Sequence, residues 1–377
     1  MPSKKFMKSD DLKYWLALAR VPFFGGVRMG KLFRAFPNME RAFSASVADL
    51  IEAEIEPEIA NRFLQERLHI DPDRELEKLN EAGLNIVTLA DESYPTLLKQ
   101  IFDPPALLFY RGTLPDTTRK HIAVVGSREV TDYGRRAIDT IVGPIAESGA
   151  VIVSGLAYGV DALAHQTTID RGGTTLAVLG TGADDASVYP AMNRDLASRI
   201  VATGGAVISE FPIGTQGLKH HFPIRNRVIA GLCHDTLVIE AAQKSGSLIT
   251  AKNALENGRD VYAIPGPFDA LLSEGPNNLI KMGATLVTQA SDIVHTIKQN
   301  SNTLTNNQHP TTSQFIAYQP RNETERTILS FLGAQLIHID EIAHAVVIPI
   351  ETISSTLTLL EMKGVIRHEG GRYYTRV

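Results

Sequence analysis

Short apolar runs alternate with helical segments from His121 to Ile264, and this alternation constrains the fold most strongly. The runs have three to five residues and are rich in Val and Ile. They are Ile122–Val125, Val151–Val153, Thr175–Leu179, Ala206–Ser209, Thr236–Ile239 and Val261–Ile264. The helical segments are Tyr133–Ser148, Val160–Asp170, Asn193–Thr203, Pro223–Leu232 and Leu248–Asn257. Because strands that are apolar throughout need helices on both faces, the pattern predicts an α/β domain with a doubly wound, mainly parallel sheet.

Glycine and serine recur where these predicted strands end. The segments concerned are Gly126-Ser127-Arg128, Ser154–Gly159, Gly180-Thr181-Gly182, Lys244–Thr250 and Pro265-Gly266. Ligands of such sheets bind at the carboxyl ends of the strands, and Gly and Ser suit the approach of phosphate oxygens. The several loops together predict a phosphate-binding edge. No Gly-x-Gly-x-x-Gly follows the first strand and no Walker A loop is present, so we expect no dinucleotide, ATP or other cofactor.

The stretch Lys219–Leu232 joins a basic, aromatic loop to a predicted helix. Arg225 and Arg227 lie near the start of that helix, where cations oppose the helix dipole. They are two positions apart, roughly 200° around a helix, and therefore cannot face one ligand equally. Internal salt bridges, for instance to Glu210, are one explanation. A bound polyanion is the other, and we favour it because cations beside an aromatic such as Phe222 suit unpaired nucleic acid.

The 377-residue chain has room for several domains. We predict a helical N-terminal domain over residues 1–90, the sheet domain over 91–299, a polar linker over 300–320 and a winged-helix-like domain over 321–377. The winged-helix-like domain is suggested by three predicted helices followed by a terminal hairpin. The turn Val21–Arg28 joins two predicted helices, and we favour a plain structural turn over a helix-hairpin-helix because its doubled Gly lacks Gly-x-Gly spacing.

Composition narrows the function. The formal net charge is −5, so any polyanion site must be a local basic patch. One cysteine, Cys233, excludes an intrachain disulfide framework, and the histidines show no ligand spacing that predicts a metal site. The N-terminal residues do not form a secretory signal, and no run is long enough to span a bilayer. We expect a cytoplasmic protein with no membrane partner.

The motifs of the sheet domain resemble those of the DNA-processing protein family DprA, also called Smf. They are Val125–Arg128, Ser154–His165, Lys219–Arg227, Ile239–Ala241, Ser245–Ala251 and Ala263–Gly266. The resemblance implies an extended Rossmann-like domain that binds single-stranded DNA without catalysis. It also implies a homodimer that protects incoming DNA during natural transformation and homologous recombination and promotes loading of the RecA recombinase.

The resemblance implies particular contacts with DNA. Phosphates and bases would be contacted by Gly126, Ser127, Arg128, Lys219, Phe222, Arg225 and Arg227, and Lys244, Ser245, Gly246 and Ser247 would line the same pocket. The C-terminal module departs from a strong DNA binder. It has six Lys/Arg at positions 321, 326, 363, 367, 372 and 376 against seven Asp/Glu at 323, 325, 340, 341, 351, 361 and 369, a net charge of −1.

Two other functions are compatible with parts of the sequence. The first is a nucleotide-cleaving hydrolase on a related Rossmann-like fold, with Glu240 as its acid or base. We favour a structural role for Glu240, paired with Arg225 or Arg227, because Ser245–Thr250 stands where that hydrolase family has Pro-Gly-Gly-x-Gly-Thr. The second is a transcription regulator, which the acidic balance of the winged helix disfavours.

Overall fold

The computed structural model describes residues 9–294, 320, 322–332, 337–346, 348–362, 365–368 and 373–376. The chain divides into two compact units, residues 1–304 and 305–377. Apart from Pro320, the predicted linker 300–320 lies outside the described residues. The finer boundaries predicted at residues 90, 299 and 320 stay predictions.

The first part of the larger unit is a cluster of short helices. They are α1 (Ser9–Ala19), α2 (Gly26–Ala35), α3 (Met39–Phe43), α4 (Val47–Glu52), α5 (Pro57–Glu66) and α6 (Pro72–Glu81). Their buried side chains, such as Trp15 and Phe63, pack with Leu107 and Phe109 of the adjoining sheet. Gly26 is the first residue of α2, and a Cβ there would lie 2.3 Å from the carbonyl oxygen of Pro104. This glycine therefore permits a close packing contact.

A nine-stranded, mostly parallel sheet forms the centre of this unit. Its strands are β1 (Asn85–Thr88), β2 (Leu107–Gly112), β3 (His121–Val125), β4 (Val151–Ser154), β5 (Thr174–Val178), β6 (Ala206–Ser209), β7 (Asp235–Val238), β8 (Asp260–Ala263) and β9 (Thr285–Leu286). Their order is β1-β2-β6-β5-β4-β3-β7-β8-β9. The pairs from β6 to β9 are parallel, whereas β1 and β2 are antiparallel additions. The predicted doubly wound sheet is confirmed, and each predicted strand is within one residue of the observed one.

The chain order of the strands reverses at β3. From β3 the chain builds outward through β4, β5 and β6, and it then returns to add β7 on the other side of β3. Such a reversal opens a crevice at the carboxyl ends of the two strands that flank it, which is where ligands of this fold class bind. The loops after β3 and β7 therefore lie beside the crevice.

Helices cover both faces of the sheet. They are α7 (Thr96–Lys99), α8 (Asp132–Ala137), α9 (Gly143–Glu147), α10 (Val160–Asp170), α11 (Arg194–Ala202), α12 (His221–Leu232), α13 (Ser247–Glu256) and α14 (Glu274–Lys281). The predicted helix Tyr133–Ser148 is interrupted by a π-helical turn at Ile138–Val142, because Pro144 cannot donate to the ladder. Helix α12 begins at His221, two residues before the predicted start at Pro223. Proline is tolerated there because the N–H groups of the first helical turn have no partner within the helix.

The smaller unit has the predicted winged-helix elements. They are helices α15 (Glu323–Phe331), α16 (Ile339–Ala345) and α17 (Ile350–Met362) and strands β10 (Ile337–His338), β11 (Ile366–His368) and β12 (Tyr373–Arg376). Strand β12 pairs antiparallel with both β10 and β11. The core of this smaller unit is aliphatic and includes Ile328, Ile342, Ile353 and Leu357. In the described parts of both units, no helix combines the length and the apolar character that crossing a membrane requires.

Candidate nucleic-acid interface

The loop after β3 is held in place beside the crevice by backbone contacts. The Ser127 N–H donates to the carbonyl of Glu240 after β7 at 2.6 Å, and the Val160 N–H donates to the Ser127 carbonyl at 3.0 Å. Gly159 has a φ of +72°, and a Cβ there would lie 2.4 Å from the Ser127 carbonyl oxygen. Glycine is thus required at position 159 for both conformation and space. These contacts fix Gly126, Ser127 and Arg128 at the carboxyl edge of the sheet.

Three of the predicted DNA contacts are exposed cations. Arg128 follows β3, Lys219 precedes α12 and Lys244 follows β7, and all three are exposed. The guanidinium carbon of Arg128 lies over the ring of Phe222 at 5.6 Å from its centroid. Across residues 9–294, the ammonium groups of Lys219 and Lys244 have neither a hydrogen bond nor an ion pair with another residue. These charges are therefore available to an anion.

Phe222 lies in the first turn of α12 and is half-buried. A Cβ at Gly180, in the loop after β5, would lie 3.0 Å from the Phe222 ring. Tyr189 contacts it from the same loop, with ring centroids 5.8 Å apart and planes tilted by 48°. The sequence prediction missed Tyr189, whose loop has no periodicity. Its only sequence signal is an aromatic residue beside Pro190 in a loop that follows a strand.

Arg225 points into the protein, near enough to the exposed Arg128 that the charge of Arg128 helps to lower its pKa. Its side chain is buried, and its Nη1 donates to the carbonyl of Gly155 at 2.7 Å and to that of Val178. A Cβ at Gly155 would lie 2.5 Å from this guanidinium, so the glycine makes room for it. Burial lowers the pKa of Arg225 to about 10, against the opposing attraction of Asp161, and the group stays cationic at neutral pH.

Asp161 lies beneath the loop that follows β4. Its carboxylate accepts from the N–H groups of Gly155 at 3.2 Å and Ala157 at 3.3 Å. Burial raises the pKa of Asp161, while the nearby cation of Arg225 and these N–H groups lower it. Arg225 and Asp161 thus each bind backbone groups at the end of β4, and Arg225 also binds the end of β5. Arg225 shapes the edge, and the DNA contact expected of it stays a prediction.

Arg227 lies on the other side of α12 and is paired internally. Its Nη2 is 2.5 Å from Oε2 of Glu210, and its Nη1 donates to the Asp103 carbonyl at 2.6 Å. Its Nε is 3.6 Å from Oδ2 of Asp103. The internal salt bridge to Glu210, considered from the sequence as an alternative to a bound polyanion, is therefore present at Arg227. Its predicted DNA contact is not tested by this geometry.

The segment Lys244–Ser247 forms the turn that leads into α13. Ser245 Oγ and Ser247 Oγ are 2.8 Å apart. The Asn226 side chain donates to the carbonyl of Gly246 at 3.0 Å, so α12 holds this turn directly. Ser245 and Ser247 are only partly buried, whereas Gly246 is exposed beside Lys244. The segment thus presents backbone and hydroxyl donors together with a cation.

Glu240 has a structural partner that the sequence did not predict. Its Oε2 accepts from the Thr131 N–H at 3.0 Å and its Oε1 from the Thr131 hydroxyl at 2.5 Å. Thr131 in turn caps α8 by accepting from the Gly134 N–H at 3.2 Å. The expected pairing with Arg225 or Arg227 is wrong, because the end of β7 lies beside the loop after β3. Within the described residues no cluster of three His, Cys, Asp or Glu side chains is arranged to hold a metal ion.

Sheet, crevice and terminal module together define a Rossmann-like protein with an appended winged-helix unit. Residues 85–298 match the sequence profile of DNA recombination-mediator protein A, and residues 317–372 match the DprA winged helix domain. Protein Smf of Synechocystis is 32% identical over 98% of this chain and 100% of its own length. The DNA processing protein DprA of Streptococcus pneumoniae is 45% identical over 55% of this chain and 72% of its own.

Solved structures agree with the sequence matches. The X-ray structure of DprA from Streptococcus pneumoniae has a TM-score of 0.64 and 34% identity, over 78% of this chain and 98% of that one. A structure of DNA processing protein A from Helicobacter pylori has a TM-score of 0.50 and 27% identity over 58% of this chain and 98% of that one, and it is described as showing a unique single-stranded DNA binding mode. The chain belongs to the DprA/Smf family of DNA-processing proteins.

Proposed function

We propose that this chain binds single-stranded DNA at the carboxyl edge of its sheet. The observation that carries the proposal is the guanidinium of Arg128 lying over Phe222, which itself contacts Tyr189. Cations that track a backbone, beside aromatic rings that stack on bases, are the combination used for unpaired strands. In a duplex the base faces are hidden in the stack. The single-stranded DNA binding mode described for the Helicobacter pylori relative supports the same ligand.

The phosphates would be held by groups that the fold leaves open. Arg128, Lys219 and Lys244 supply charge, and the loops with Gly126, Ser127 and Ser245–Ser247 supply hydrogen-bond donors. Arg225 holds the carbonyls of Gly155 and Val178 at the ends of β4 and β5. Arg227 is bound to Asp103 and Glu210 inside the protein. Because the net charge is −5, strong phosphate binding needs a local basic patch, and Arg128, Lys219 and Lys244 would supply it.

Binding without catalysis is the second part of the proposal. Both carboxylate oxygens of Glu240 accept hydrogen bonds from Thr131. A general base must lie within hydrogen-bond reach of the proton that it removes, whereas Glu240 is buried with 4% of its surface exposed. Incubation with nucleoside monophosphates should release no free base. Turnover that Glu240→Gln abolishes would instead establish the hydrolase.

The cellular role that we propose follows from the family. The chain would act as a homodimer that protects incoming DNA in natural transformation and recombination and promotes the loading of RecA. The test is RecA filament formation on an oligonucleotide coated with single-strand-binding protein, with and without this chain. We expect faster assembly with wild type than with Lys219→Ala. Equal rates would remove the loading role, and sedimentation equilibrium would test the dimer separately.

Strand binding itself is tested by fluorescence anisotropy with labelled dT20 and a duplex of the same length. We expect wild type to prefer the single strand, and Arg128→Ala and Lys219→Ala to weaken binding. Lys252→Ala is the matched control, because Lys252 is an exposed lysine on α13 that pairs with Glu256. An affinity for dT20 that is unchanged in both edge variants, or lost equally in the control, would refute the site.

A further inference from the structure

Phe222, the aromatic residue that the sequence singles out, has little free ring surface. Arg128 lies over its face, Gly180 and Gly217 approach its edge, and Tyr189 packs beside it. A base would have to displace the guanidinium of Arg128 to stack on the covered face. Such a displacement would sacrifice a cation–π contact and move the charge that a phosphate needs.

Tyr189 has the open surface that Phe222 lacks. Tyr189 is 47% exposed although it lies in a well-packed loop after β5. The Phe222 ring supports it from one side at a centroid distance of 5.8 Å. Gly217 packs against both rings, because a Cβ there would contact each of them at 3.5 Å. An exposed aromatic ring that is backed by a second ring is a firm platform with little conformational entropy to lose on binding.

We propose that Tyr189 is the residue on which a base of the bound strand stacks, and that Phe222 is a positioning residue which holds Arg128 and Tyr189 side by side. A nucleotide would then place its phosphate at Arg128 and its base on Tyr189, with no movement of the cation. This inference rests on the proposed binding of single-stranded DNA at the same edge. It adds a base-binding residue that the sequence did not indicate.

Substitutions at Tyr189 test the stacking. Alanine substitution of a stacking aromatic costs on the order of 5- to 150-fold in affinity, so Tyr189→Ala should weaken dT20 binding within that range. Tyr189→Phe should bind within about twofold of wild type, because stacking uses the ring and not the hydroxyl. Phe222→Leu, which keeps apolar bulk beside Gly180, should weaken binding less than Tyr189→Ala.

A spectroscopic readout separates stacking from a structural role. Trp15 is the only tryptophan of the chain and is 1% exposed in the N-terminal helical cluster. Tyr189→Trp therefore adds one emitting indole at the interface. We expect its emission to be quenched when dT20 binds, while wild-type emission stays constant.

The outcomes distinguish the two proposals. If wild type does not bind dT20, the proposed function fails. If wild type binds and Tyr189→Ala binds equally well, or if Tyr189→Trp binds without quenching, only Tyr189 is excluded. A loss of binding in Phe222→Leu that exceeds that of Tyr189→Ala would return the stacking role to Phe222. Melting curves of every variant confirm that the fold is intact, and a lower melting temperature in Tyr189→Ala alone would mark Tyr189 as structural.

Discussion

Replacing Arg225 should lower the stability of the protein more than replacing any exposed cation of the interface. Its guanidinium holds the carbonyls of Gly155 and Val178 and offsets the buried charge of Asp161. Removing the guanidinium leaves two buried carbonyls without their donor, and each such unsatisfied group costs roughly 1–3 kcal/mol. In a unit larger than about 250 residues each kcal/mol lowers the melting temperature by roughly 2 °C. Arg225→Ala should therefore melt roughly 4–12 °C below wild type.

Lys219→Ala is the control for this experiment. Lys219 is exposed and unpaired within residues 9–294, so its loss should change stability by less than about 0.5 kcal/mol while weakening DNA binding. Differential scanning calorimetry and dT20 anisotropy on both variants provide the two measurements. If Arg225→Ala has the melting temperature of wild type but no longer binds dT20, the internal role derived for Arg225 is refuted.

Three further predictions concern charge. Burial raises the pKa of Glu210 to about 7 against the attraction of Arg227, so the folded state holds a proton that the unfolded state has lost. Stability from this group should fall by roughly 3 kcal/mol as the pH rises from about 4.5 to above 7, and urea titrations of Glu210→Gln should show a flatter profile; parallel profiles would contradict this. A chain ending at Asn300 should keep most of its affinity for dT20, because the C-terminal module has a net charge of −1; a hundredfold loss with the fold intact by circular dichroism would contradict it. Arg128→Ala and Lys219→Ala should each make the slope of log K against log salt shallower by roughly 0.7, and unchanged slopes would mean that neither contacts a phosphate.

The sheet could be predicted from the sequence because its signal is local. Each apolar run encodes burial on both faces, and the observed strands deviate from the predicted ones by at most one residue. The loops after the strands followed from the same reasoning, since parallel strands end at one edge. The carboxyl-edge location of Gly126–Arg128 and Lys244–Ser247 thus came from strand direction alone.

The orientation of individual side chains at the site could not be predicted in the same way. Helical geometry required Arg225 and Arg227 to face different directions, but only the packing of α12 on the sheet decides that Arg225 points inward. The partner of Glu240 depends on which strand lies beside β7, a fact of strand order rather than of residue spacing. Tyr189 is exposed because of its loop conformation, for which the sequence has no periodic signal.

Strand β1 joins residues 85–88 to the edge of the sheet. It is the outermost strand and pairs with β2 through residues 85–88, and Leu107 and Phe109 of β2 pack under the helical cluster. A chain that began at residue 91 would leave β2 as a bare hydrophobic edge, which is a template for intermolecular pairing and aggregation. One that began before Asn85 would keep the protecting strand, and this is also where the matched family segment begins. Even then, Leu107 and Phe109 would be exposed to solvent, so the helical cluster acts as a cover that keeps this side of the sheet from self-association.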